Sequence, residues 1–84
     1  MKLSDNLTIG EAYGPAMNIT EQAEADAYFE ALVERYMRCF KKSREEAERI
    51  ERSNLGYYAG YYDFETRLRV EKLFKCAHPI AGKA

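Results

Sequence analysis

Between residues 25 and 40 the apolar side chains return at every third or fourth position. Ala25, Tyr28, Phe29, Leu32, Tyr36, Cys39 and Phe40 would stand on one side of a helix. No stretch of the chain alternates with a period of two for long enough to make a strand. This pattern predicts an all-α protein, a small bundle of three main helices at about 21–41, 44–62 and 64–77. Thr20 is the expected N-cap of the first. Glu21, Glu24 and Asp26 sit near its positive end, and Arg38, Lys41 and Lys42 near its negative end.

The next helix opens with a capping-box spacing, Ser43 to Glu46. Ala47 and Ile50 are expected to point inward. A continuous helix puts Asn54, Tyr58 and Tyr61 on the same side, and Gly56 and Gly60 together on the opposite one. Each glycine costs a helix roughly 1 kcal/mol relative to alanine. Two of them four apart imply either close approach by another element or chain, or a break. Glu51 lies near the apolar face and Asn54 within it. A buried Asn54 needs hydrogen-bond partners, and it is read as a packing-specificity residue or a tyrosine partner rather than a catalytic group. Asp63 is the expected N-cap of the last helix, whose inner face carries Thr66, Val70, Leu73, Phe74 and Ala77, with Leu68 beside it. That helix should stop by His78, because the residue before Pro79 avoids the helical region.

Ahead of these helices, Thr8 and Glu11 again have capping-box spacing. Residues 1–19 are therefore read as an N-terminal arm or a short helix from Ile9 to Tyr13, capped by Gly14 and stopped by Pro15. In the arm reading, Leu7, Ile9, Tyr13 and Met17 lie over a groove between helices. Residues 78–84 form a tail, and 1–84 are read as a single helical domain.

Composition narrows the function classes. Hydrophobic residues make up 46% and charged residues 32%, which fits a folded chain rather than a disordered one. The formal net charge of -1 argues against holding DNA by bulk electrostatics. No apolar run approaches the ~20 residues of a membrane span. The start, Met1-Lys2-Leu3-Ser4, has no signal-peptide core, so a cytoplasmic location is expected. Two cysteines are too few for a disulfide framework.

Three sets of residues could carry function. Cys39, Cys76 and His78 are potential metal ligands or a nucleophile–base pair. A structural zinc site needs four ligands at paired spacings, and a reactive thiolate needs an orienting group. Neither pattern is present, so no catalytic residue, metal or cofactor is assigned, and a small enzyme or ligand-binding protein using Cys76 and His78 is the least favoured reading. Arg35, Arg38, Lys41, Lys42 and Arg44 begin a basic stretch over 35–52. Glu45, Glu46, Glu48 and Glu51 interrupt it, which weakens but keeps a nucleic-acid-binding alternative. A helix-turn-helix alignment with its turn at Gly60 fits poorly, since Thr66 and Arg69 fall where apolar residues belong.

The third set is the short duplication Gly56-Tyr57-Tyr58-Ala59 followed by Gly60-Tyr61-Tyr62-Asp63. Tyrosine combines apolar area with a hydroxyl and is enriched at interfaces. Gly56, Tyr57, Gly60, Tyr61 and Tyr62 are the candidate interaction surface. The competing reading has Tyr58, Tyr61 and Tyr62 building a small core.

Thr8-Ile9-Gly10-Glu11-Ala12-Tyr13-Gly14-Pro15, the Gly-Tyr-Tyr duplication and Cys76-Ala77-His78-Pro79-Ile80 resemble short uncharacterised bacterial proteins often carried on mobile elements. The resemblance covers most of the chain and transfers no activity or ligand. It implies an accessory bacterial protein, an adaptor or an inhibitor. The function expected is thus a helical module that binds another protein, itself, or both.

Overall fold

The computed structural model describes residues 1–76. The expectations for Ala77, His78, Ile80 and the tail lie outside them. The described residues form an all-α bundle of four α-helices, α1 Ile9–Tyr13, α2 Gln22–Phe40, α3 Arg44–Ala59 and α4 Phe64–Phe74, with a 3-10 helix at Gly14–Asn18. No helix among them is long and apolar enough to cross a membrane.

α1 forms because its capping box closes in both directions. Glu11 N–H donates to Thr8 Oγ1 at 3.1 Å, and Thr8 N–H donates to Glu11 Oε1 at 3.0 Å. The short-helix alternative is therefore the one realised. Pro15 does not end the ordered path. It sits at the start of the 3-10 helix, where its missing N–H leaves no bond unmade.

α2 begins one residue later than its sequence suggests, with Glu21 rather than Thr20 at the N-cap and no side-chain cap. The Gln22 amide instead donates to Leu73 O and Asp26 Oδ1, both at 2.8 Å, and ties this end to α4. α2 ends at Lys41, whose backbone is left-handed at φ 56°. α4 ends in the same way at Lys75, three residues short of the expected stop.

α3 runs unbroken through Gly56 and stops at Gly60, not at residue 62. The Gly60 N–H is shared between Gly56 O and Tyr57 O, and Tyr61 and Tyr62 continue as a tight turn bonded to Tyr58 O and Ala59 O. Asp63 then starts α4 by accepting from Thr66 N–H at 3.1 Å. A weak helix former next to a strong N-cap moves the boundary here.

The core is shared by α2, α3 and α4, which pack against one another, with the 3-10 helix against α4. Leu32, Leu55 and Val70 are fully buried at its centre, and Phe74 closes one side, its ring 6.5 Å from that of Phe29. Ala16 and Met17 enter from the 3-10 helix. The α2 stripe holds as far as Leu32. Cys39 and Phe40 are exposed rather than buried, while Val33, outside the stripe, is fully buried.

Arginines fasten the N-terminal segment to this bundle. Arg35 donates to Ser4 O and Leu7 O, and Arg38 to Leu3 O and the Asp5 carboxylate. Arg69 of α4 donates to Ile19 O and Met17 O. Such bonds satisfy carbonyls that no helix satisfies.

Candidate functional site

α1, the C-terminal half of α2 and α3 enclose a cleft of about 470 Å³. Its inner wall holds a buried polar group of three side chains. Tyr13 Oη donates to Glu51 Oε1 at 2.7 Å and accepts from Asn54 Nδ2 at 2.9 Å. Glu51 is 0% exposed, and its other oxygen, Oε2, has no hydrogen-bond partner among the described residues. The position of Tyr13 follows from α1, which is itself held by a 2.6 Å bond from Tyr28 Oη to Ala12 O.

Burial raises the Glu51 carboxyl above its ordinary value of 4.5, because desolvation disfavours the charged form. The Tyr13 bond, the Arg35 charge and Asn54 work in the opposite direction. The Tyr13 phenol is pushed up as well, first by burial and then by the adjacent carboxylate. Arg35 lines the same cleft, so its wall carries one cation and one acid.

The rest of the lining is aromatic and apolar. Tyr36 and Phe40 stack with ring centroids 4.5 Å apart, and Tyr57 meets Tyr61 edge-on at 5.6 Å. Tyr58 is half-buried against Tyr13. Ile9, Phe40, Tyr57 and Tyr61 all line the cleft and are all largely exposed.

The candidate residues are thus redistributed. Tyr57 and Tyr61 reach the cleft, and Tyr62 is exposed beside it, packed on Tyr58 at 5.8 Å. Gly60 is exposed, but Gly56 is buried and cannot be part of a bare glycine surface. Tyr61 does not lie on the inner side with Ala47. The helix ends before it, and the turn carries it out to 75% exposure.

The basic set does not form one free patch. Arg35 and Arg38 hold the N-terminal segment, and Arg44 makes a two-pronged bond to Glu30 at 2.8 and 2.9 Å. Lys41 and Lys42 remain exposed in the α2–α3 link. Cys39 is exposed on α2, whereas Cys76 is half-buried, its thiol pushed up to about 12 by burial and by Glu71. A thiol so raised stays protonated and is a poor nucleophile. Among the described residues no three His, Cys, Asp or Glu side chains are grouped to hold a metal.

Sequence patterning found Glu51 and Asn54 but not what joins them. Tyr13 reads as one more apolar residue of the arm, since nothing local shows its hydroxyl meeting a carboxylate 38 positions away. No family model matches this chain, and no curated protein or solved structure matches it closely enough to carry an argument.

Proposed function

We propose that this chain is a small protein-interaction module whose docking face is the aromatic cleft between α1, α2 and α3. One observation carries the reading. Ile9, Phe40, Tyr57 and Tyr61, four of the large apolar side chains left exposed, converge on the mouth of a single cleft. Scattered exposed apolar residues are ordinary, but a contiguous group around a concavity marks a binding surface. Tyrosine suits this role because its ring is apolar and its tip is polar. An accessory adaptor or inhibitor acting in the cytoplasm is the setting that this chemistry fits.

The engagement of Arg35, Arg38 and Arg44 within the chain weighs against nucleic-acid binding, since it leaves few cations to meet phosphates. The two readings separate in a capture experiment from the native host. Phe40→Asp with Tyr61→Asp should lose the partner, while Lys41→Glu with Lys42→Glu should retain it. The reverse outcome, with capture that collapses in high salt, would transfer the function to the basic residues.

A further inference from the structure

We infer that α1 is a hinged flap on the cleft, pivoting at Gly14, closed while Glu51 keeps its proton and released when that proton passes to water. In the closed position Leu7, Ile9 and Ala12 supply one wall of the cleft. The flap and its latch belong to one chain and need no partner.

The two short helices on either side of the pivot are held very differently. The 3-10 helix buries Ala16 and Met17 completely, packs against α4, and is fastened by Arg69 through Met17 O and Ile19 O. Of the five residues of α1, only Ala12 and Tyr13 are buried. An element with so few apolar contacts opens at low cost. The residue before a proline favours extended backbone, whereas Gly14 is right-handed helical at φ -54° and ψ -48°. Turning Gly14 to the extended alternative swings α1 off α3 while the 3-10 helix stays seated. A lone helix of five residues does not persist without its packing, so the flap unwinds as it opens. Arg35 and Arg38 tie residues 3–7 by bonds at or near the surface, which yield readily.

Glu51 is the latch. Its carboxyl is 0% exposed, with Tyr13 of α1 bonded to Oε1 and nothing bonded to Oε2 among the described residues. A neutral acid tolerates that setting and a carboxylate does not. Among the described residues, the Tyr13 hydroxyl from α1, the Arg35 charge from α2 and the Asn54 amide of α3 favour the ionised form, while α4 contributes no charge here. Burial outweighs all three and raises the carboxyl above 4.5, so the closed form holds a proton that the open form gives up.

Amide hydrogen exchange followed by NMR, from pH 4.5 to mildly alkaline solution, tests the flap. Each rate is divided by that of an unstructured chain at the same pH, so that only opening is read. The Ala12 amide, bonded to Thr8 O, and the Gly14 amide, bonded to Gly10 O, report α1, and the Leu55 amide reports the whole fold. The α1 amides should exchange through openings that low urea leaves unchanged. Those openings should grow about tenfold for each pH unit above 4.5 until the closed-form value is passed. Glu51→Gln should abolish the rise. Pro15→Ala, at an exposed position, should make opening severalfold rarer, because the extended preference of Gly14 is removed. Circular dichroism confirms that each variant folds. If the α1 amides match Leu55 in protection and urea dependence, there is no flap. A rise that persists in Glu51→Gln overturns the latch, and opening unchanged in Pro15→Ala overturns the pivot.

Discussion

The two sides of α3 solve the same packing problem by different means. Toward α4 the helix presents Leu55 and Ala59, which are fully buried beside Val70 and Phe74. Toward α1 it presents Glu51 and Asn54, which meet a tyrosine. The contact of these four side chains is held by apolar burial. The second side is held by two directed bonds through the Tyr13 hydroxyl. A carboxyl is poor material for a core, since its burial is offset only where partners are provided. Its presence beside an aromatic cleft, and not at the bundle centre, is what sets that side apart and places it next to the docking face proposed above.

The largest expected effect tests the apolar side. Leu55→Ala should destabilise the fold by about 2–5 kcal/mol, measured by urea denaturation, because a fully buried leucine leaves a cavity. A loss under 1 kcal/mol would mean that this side is looser than it looks.

Tyr13→Phe tests the polar side and should cost about 1–3 kcal/mol, since it removes the donor to Glu51 and the acceptor for Asn54 while keeping the ring. Most of the cost should vanish in the background of Glu51→Gln, because an amide needs the phenol less than a carboxylate does. Additive losses would break the claim that the three side chains act together.

The smallest effect is one of pH. The Glu51 carboxyl is raised in the folded state by burial, so the folded protein holds this proton more tightly than the unfolded chain does. Stability from this group is present below the ordinary value of 4.5 and is lost as pH rises through the folded value. Glu51→Gln has no proton to lose. It should melt higher than the wild type at neutral pH, and the two should converge as the solution is acidified toward 4.5. A difference constant with pH would show that the carboxyl titrates as it does in the unfolded chain.

Much of this fold was legible in the sequence because helices are local objects. The Thr8–Glu11 and Ser43–Glu46 spacings and the N-cap residue Asp63 mark three helix starts, and each is realised in the backbone. The ends were less legible. Lys41 and Lys75 stop their helices in a left-handed conformation that lysine does not advertise. The stripe on α2 shows the limit of periodicity. It gives the direction in which Phe40 points, but not that the residues it faces belong to an open cleft and leave it exposed.

The candidate site divides along the same line. Glu51 and Asn54 stand out because their positions on α3 conflict with their polarity, and such a conflict is visible within a few turns. The tyrosine duplication stands out by composition, yet its two halves part at Gly60, where the helix ends. Arg35 and Arg38 look like a basic surface until the arm folds back and offers them carbonyls.

The sequence by itself determined the all-α class, the starts of α1, α3 and α4 and the identity of the misplaced polar residues, since these depend on neighbours within about four positions. Only the tertiary structure decided that Tyr13 answers Glu51 and that three arginines hold backbone. It also decided that Phe40, Tyr57 and Tyr61 share one mouth. Those facts join residues 17 to 52 positions apart, where only the packing of helices sets the distance.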